Sequence, residues 1–144
     1  MAVLVTGIGY IGARLVERLL DSGQQVVGID NLFSTNPAAL EKLALHAGFH
    51  LLQGNVADEA IVRRAFDCGL AIDTVYHLAA QASAHPSAAP VRYTEEANLV
   101  APRVLLDAAA EAGSTTFVFG SSLQLYGRTP AGAVDERTPF GPIL

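Results

Sequence analysis

Several features are scarce in this chain of 144 residues, and each scarcity excludes a class of protein. Cys68 is the only cysteine, which excludes an internal disulfide and favours a reduced, cytoplasmic setting. No apolar run approaches the roughly 18 residues that span a bilayer, and the first residues lack the basic and apolar segments of a secretory signal. We therefore expect neither a membrane protein nor a secreted one.

Positive charge is also scarce. The nine Lys and Arg residues are scattered along the chain and are outnumbered by 14 Asp and Glu, which gives a net charge of −5. Nucleic-acid surfaces concentrate basic residues, so we expect no nucleic-acid partner. We also expect no metal site, because four histidines show no metal-ligand spacing with Cys68 or with carboxylates. These are His46, His50, His77 and His85.

Apolar residues, in contrast, are abundant. They make up 51% of the chain and occur in short, strand-length groups, which indicates a buried parallel sheet. The length allows one domain, residues 1–144. The predicted strands cover residues 2–5, 25–30, 49–52, 74–78 and 116–119, and helical patterns cover 11–21, 38–47, 58–66 and 91–112. This alternation predicts an α/β fold with a Rossmann-type, doubly wound parallel sheet that stops after about five strands.

A glycine turn joins the first strand to the first helix. Gly7, Gly9 and Gly12 form a Gly-x-Gly-x-x-Gly pattern there. Such a turn lets backbone N–H groups and the positive end of a helix dipole face a pyrophosphate, and glycine permits the close approach that a Cβ would block. The turn therefore indicates dinucleotide binding. The alternative is that these glycines serve chain geometry alone.

An acidic residue follows at the end of the second strand. Asp30 lies 18 residues after Gly12, where its carboxylate can accept hydrogen bonds from both hydroxyls of an adenosine ribose. A carboxylate also repels a 2′-phosphate, so Asp30 favours NAD over NADP. The alternative is that Asp30 caps a turn before Asn31.

Two further segments lie near the predicted site. Residues 78–81 follow the fourth strand at the carboxyl edge, where ligands bind in such sheets, and their small side chains allow close approach of a nicotinamide. The alternative is that Ala79 and Ala80 only pack a helix on the sheet. In the long helix, Pro102 offers no N–H to the Asn98 carbonyl, which predicts a kink there.

Seven segments in this order resemble the extended short-chain dehydrogenase/reductases, the NAD-dependent epimerase/dehydratase group that acts mainly on nucleotide sugars. They are residues 6–12, 27–32, 54–58, 73–81, 90–98, 121–127 and 136–139. The resemblance implies NAD as cofactor and a small-molecule nucleotide sugar as substrate. The spacing of the glycines departs from the family's usual Gly-x-x-Gly-x-x-Gly by one residue, which tightens the turn.

The resemblance also implies roles for individual residues. Asn55 and Val56 would contact the adenine ring, although Asn55 stands where the family usually has Asp and offers an uncharged acceptor. Ser122 would orient the hydroxyl or carbonyl of the substrate, or else belong to a turn. The remaining implied cofactor-binding residues are Tyr10, Ile11, Asn31, Leu78, Ala79, Ala80, Gln81 and Asn98, the last as architecture near the site.

The family's catalytic Tyr and Lys, spaced four residues apart, have no counterpart in this chain. The residues four positions after its tyrosines are Arg14, Ala80, Ala97 and Pro130, and the only lysine is Lys42. The resemblance implies an N-terminal part without the catalytic helix and the substrate lobe, which is inactive by itself. It also implies an uncovered sheet face that favours self-association. A silent NAD(H)-binding regulatory module and a remnant that binds nothing are the alternatives.

Overall fold

The computed structural model describes residues 2–83, 85, 89–127 and 133–142. It contains one parallel sheet of five strands in the order β3-β2-β1-β4-β5. The strands are β1 (Ala2–Thr6), β2 (Gln25–Asp30), β3 (Phe49–Gln53), β4 (Ile72–His77) and β5 (Thr116–Phe119). The order reverses beside β1, so the chain winds in both directions from that strand. The predicted doubly wound α/β sheet is confirmed.

Helices connect the strands. They are α1 (Tyr10–Asp21), α2 (Pro37–Ala44), α3 (Glu59–Phe66), α4 (Val91–Glu95) and α5 (Ala101–Glu111), with a π-helical turn at Glu96–Val100 and a 3-10 turn at Leu123–Tyr126. Side chains cap the N-termini of two of these helices. Asn36 accepts a hydrogen bond from the Ala38 N–H before α2, and Asp58 accepts one from the Ala60 N–H before α3. None of the described helices is long and apolar enough to cross a membrane.

The two faces of the sheet form two hydrophobic cores, because successive strand residues point to opposite sides. Val3 and Val5 of β1 pack with Val16 of α1 on one face. Leu4 packs with Val62 of α3 and Leu105 of α5 on the other. All of these side chains are at most 5% exposed, so burial of apolar area holds the five-strand sheet between its helices.

Two predicted helices differ from the structure. The helix expected over residues 38–47 ends at Ala44, because the chain turns there and the His46 Nδ1 accepts a hydrogen bond from the Gly48 N–H. The single helix expected over residues 91–112 is divided into α4, the π-helical turn and α5. The break lies just before Pro102, where the sequence predicts a kink, and the widened turn is the form that the kink takes.

Candidate functional site

A cleft of about 380 Å³ lies at the carboxyl edge of the sheet, where β1, β2, β4 and β5 end beside the first turn of α1. Twelve of the predicted site residues line it: Gly7, Gly9, Tyr10, Ile11, Gly12, Asp30, Asn31, Asn55, Val56, Leu78, Ala79 and Ala80. Gln81, Asn98 and Ser122 do not. Residues that were not predicted complete the lining: Ile29, Ser34, Thr35, Gly54, Ala82, Tyr93, Ala97, Ala101, Gly120 and Ser121.

The three glycines of the turn differ in what surrounds them. Gly7 has a φ of +78°, and a Cβ on it would lie 2.5 Å from the Ala79 N. A Cβ on Gly12 would overlap the carbonyl oxygen of Gly7. These two glycines are required by the packing of the protein itself. Gly9 is different, because a Cβ on it meets no atom of the described residues within 4 Å, although Gly9 lines the cleft.

Gly9 also stands at the start of α1. It is the N-cap residue, and no side chain from the described part of the chain caps this helix end. The N–H groups of a first helical turn lack partners within the helix and carry the positive end of its dipole. The N–H groups of the first turn of α1, which attract anions, therefore border the open space beside Gly9. Packing against the described residues therefore does not require a glycine at this position.

Asp30 is almost fully buried at the end of β2, where it is only 6% exposed. Its Oδ2 accepts a 2.6 Å hydrogen bond from the Ile8 N–H, and its Oδ1 accepts one of 2.7 Å from the Leu32 N–H. The Thr35 hydroxyl lies 2.9 Å from both oxygens. Asp30 therefore caps the loop after β2, as the turn alternative predicted, while it also lines the cleft.

Asn98 acts through the backbone of Gln81. Its Oδ1 accepts from the Gln81 N–H at 2.8 Å, and its Nδ2 donates to the Gln81 carbonyl at 3.0 Å. Asn98 lies in the π-helical turn Glu96–Val100. These paired bonds hold the segment that follows the cleft-lining Ala79 and Ala80. Neither Asn98 nor Gln81 lines the cleft itself.

The polar side chains of Asn55 and Ser122 contact their own backbone segments. The Asn55 Oδ1 accepts from the Ala57 N–H at 3.0 Å, which leaves one of its two lone pairs for a ligand. The Ser122 Oγ accepts from the Gln124 N–H at 3.2 Å and begins the 3-10 turn. This is the turn role that the sequence left open for Ser122. Its neighbour Ser121 lines the cleft instead.

A buried histidine lies directly before the cleft residue Leu78. His77 is 1% exposed, and its Nδ1 lies 2.6 Å from the Thr6 Oγ1 on the neighbouring strand. Burial lowers the pKa of His77 to about 4, so the ring is neutral at pH 7. Its Nε2 is buried without a hydrogen-bond partner among the described residues. In the sequence His77 is one of four histidines without metal-ligand spacing, and nothing there signals its pairing with Thr6.

Four of the unpredicted lining residues fall into two groups. Ser34 and Thr35 belong to the loop after β2, which contains polar residues but no recognisable motif. Tyr93 and Ala97 follow the apolar spacing of the one long helix that the sequence predicts. Because that helix is divided, α4 and the π-helical turn instead reach the cleft.

Known proteins resemble the chain throughout its length. The sequence profile described as "NAD dependent epimerase/dehydratase family" matches residues 3–143. UDP-glucose 4-epimerase of Pasteurella multocida is 36% identical over 131 residues, which are 88% of this chain and 38% of that enzyme. UDP-glucose 4-epimerase of Neisseria meningitidis is 36% identical over 143 residues, which are 96% of this chain and 42% of that enzyme.

Solved structures show the same likeness. UDP-glucose 4-epimerase of Bifidobacterium longum, determined in complex with NAD+ and UDP, superposes with a TM-score of 0.87 at 32% identity. The match covers 98% of this chain and 43% of that one. The chain thus spans about two fifths of the length of these relatives. The predicted family resemblance and fold are confirmed, and the description of the family names the predicted cofactor.

Proposed function

The chain belongs to the NAD dependent epimerase/dehydratase family, and on this basis we propose that its cleft binds NAD. The observation that carries the proposal is the open position at Gly9. This residue begins a helix that no described side chain caps, and a Cβ on it would meet no described atom within 4 Å. The buried carboxylate of Asp30 lines the same cleft. The N-terminus of α1, which attracts anions, and the Asp30 carboxylate, which can accept hydrogen bonds from a ribose, thus face the same cleft. A dinucleotide requires both, one for its pyrophosphate and one for its ribose.

Several residues of the chain would hold NAD. The glycine turn would bind the pyrophosphate through backbone N–H groups, and Asp30 would accept from the adenosine ribose. Asn55 and Val56 would contact the adenine. The backbone at Ala79 and Ala80 would lie beside the nicotinamide, supported by the bonds of Asn98 to Gln81. NAD bound in this way supplies a hydride acceptor.

We propose that this chain is the NAD-binding portion of a nucleotide-sugar epimerase or dehydratase. The similarity to UDP-glucose 4-epimerases supports this substrate class. Ser122 would orient the hydroxyl or carbonyl of the sugar. Because the sequence has no Tyr and Lys four residues apart, the group that moves the proton lies outside these 144 residues, and the chain by itself is inactive.

A catalytically silent NAD(H)-binding module is the second candidate, and the same missing pair favours it. Calorimetric titration with NAD+ and NADP+ tests the binding that both candidates share. Addition of a separately expressed C-terminal part of a related epimerase, followed by a UDP-glucose turnover assay, separates them. Restored turnover supports the catalytic portion, and binding without any restored turnover supports the silent module.

We further propose that the chain self-associates through one face of β4 and β5. Tyr76 pairs with Val118 on this face, and Val118 is 38% exposed. Exposed apolar area of this kind favours association. Light scattering across a range of concentrations tests the proposal, with a mass above that of the monomer expected and a lower mass for Val118→Lys. A monomeric mass at every concentration would contradict it.

A further inference from the structure

Two aromatic rings stack beside the cleft. Phe33 in the loop after β2 and Tyr93 in α4 stack with their centroids 4.4 Å apart and their planes inclined by 27°. The Asn31 Nδ2 donates a 3.0 Å hydrogen bond to the Tyr93 Oη. Asn31 and Tyr93 both line the cleft, so this hydrogen bond joins two of the segments that surround it, the loop after β2 and α4. We call Asn31, Phe33 and Tyr93 the aromatic clasp.

The aromatic clasp is separate from the packing that holds the fold together. Among the described residues, the two buried clusters include neither Phe33 nor Tyr93. Phe33 is 53% exposed, so solvent reaches one side of the stacked pair. A single solvated aromatic pair is a weak contact compared with a buried core. The clasp can therefore open while the sheet and its helices stay intact.

The loop that carries Phe33 is strained and depends on Asp30. Leu32 has a φ of +62°, in the left-handed region that non-glycine residues rarely adopt. Its N–H is held by the Asp30 Oδ1, and the Phe33 N–H is held by the Asn31 Oδ1. Asp30 thus fixes the loop with the same carboxylate that faces the cleft. A ligand that bonds to Asp30 acts directly on the group that holds the clasp.

We propose that the aromatic clasp is a gate that opens for NAD(H) to enter and leave, and that it sets the residence time of the cofactor. This inference rests on the proposed binding of NAD in the cleft. The three residues of the aromatic clasp act by positioning the loop after β2 against α4. Phe33 is the most informative of them, since it is not among the described residues that line the cleft and its ring stacks on Tyr93, which does line it.

Stopped-flow measurement of NADH fluorescence tests the gate. Phe33→Ala removes the stacked ring, and Tyr93→Phe removes only the hydroxyl that Asn31 binds. For both variants we expect the association and dissociation rates to rise together, each by about fivefold or more, with a smaller change in Kd. Phe140→Ala is the control, because Phe140 is an exposed aromatic residue that packs on Tyr126 instead. Its rates should match those of the unchanged chain.

Other outcomes would overturn the gate. Unchanged rates in both variants would do so, and so would a faster dissociation with unchanged association, because that pattern indicates a simple contact with the cofactor. Hydrogen exchange without ligand gives an independent readout, in which Phe33→Ala should speed exchange at the backbone amides of positions 32 and 33. If the unchanged chain binds no NADH, the proposed function fails and the gate fails with it. If the unchanged chain binds NADH and the variants have the same rates as the unchanged chain, only the gate fails.

Discussion

The backbone N–H of Ile8 donates a 2.6 Å hydrogen bond to the Oδ2 of Asp30. This bond connects the glycine turn to the end of β2, 22 residues further along the chain. The turn and the acidic residue, which the sequence presents as two separate signals, are therefore one structural unit. A change at Asp30 should alter both the stability of the turn and the choice of cofactor.

Asp30→Asn should destabilise the protein and weaken its preference for NAD+. The amide offers one oxygen where the carboxylate offers two to the N–H groups of Ile8 and Leu32, so we expect a loss of about 1–3 kcal/mol in the free energy of unfolding. Loss of the negative charge also removes the repulsion of a 2′-phosphate. Urea denaturation and titrations with NAD+ and NADP+ measure both effects. Asp58→Asn, at the start of α3, is the control, and an unchanged ratio of affinities in Asp30→Asn would contradict the role of Asp30.

Alanine at Gly7 and at Gly9 should have very different consequences for stability. In Gly7→Ala the new Cβ meets the Ala79 backbone and the φ of +78° is unfavourable, so we expect a loss of roughly 2–5 kcal/mol. In Gly9→Ala the Cβ enters open space, and we expect a loss below about 1 kcal/mol, from the poorer N-cap alone. Thermal unfolding of the two variants measures the difference. Equal losses of stability in the two variants would contradict the different surroundings of Gly7 and Gly9.

Asn98→Ala should loosen the segment after Ala80. It removes both hydrogen bonds to the Gln81 backbone, and we expect a loss of about 1–3 kcal/mol because these groups are half-buried. Asn98→Asp keeps the acceptor for the Gln81 N–H but places an oxygen against the Gln81 carbonyl. Hydrogen exchange at the Gln81 amide should therefore be fastest in Asn98→Ala and intermediate in Asn98→Asp. Unchanged exchange in Asn98→Ala would contradict this role.

Stability should fall as the pH drops from about 6.5 to about 4. The unfolded chain protonates His77 near pH 6.5, whereas burial holds the pKa of the folded state at about 4. The unfolded state therefore binds more protons than the folded state between these pH values. The free energy of unfolding should fall by about 3 kcal/mol across this range. Urea denaturation at several pH values measures it. His77→Gln should flatten the dependence, while the exposed His50→Gln should not. An equal pH dependence in all three proteins would contradict the burial of His77.

Much of the fold could be predicted because it depends on local patterns. Short apolar strands such as Val26 to Ile29 and the helical spacing of α1 specify their elements within a few residues, and the kink before Pro102 follows from its missing N–H. The glycine turn and Asp30 were recognisable for the same reason. The sequence presented loop capping by Asp30 as an alternative to ligand binding, whereas in the structure Asp30 bonds to the loop and also lines the cleft.

The remaining features depend on contacts between distant residues. The bonds of Asn98 to Gln81 join residues 17 positions apart, and the stacked pair of Phe33 and Tyr93 joins two different connections. Neither follows from periodicity, because each requires the strand order to be known first. The end of α2 at Ala44 has a similar cause, since a turn at His46 overrides an apolar helical pattern.

Titration of the unchanged chain and of Gly9→Ala with NADH tests the central claim most directly. We expect Gly9→Ala to leave the fold in place, because its Cβ meets no described atom within 4 Å and only fills the space beside the helix N-terminus. We predict saturable binding by the unchanged chain and an affinity at least about tenfold lower for Gly9→Ala, equivalent to about 1.4 kcal/mol. No binding by the unchanged chain, or equal affinities for the two proteins, would contradict the account.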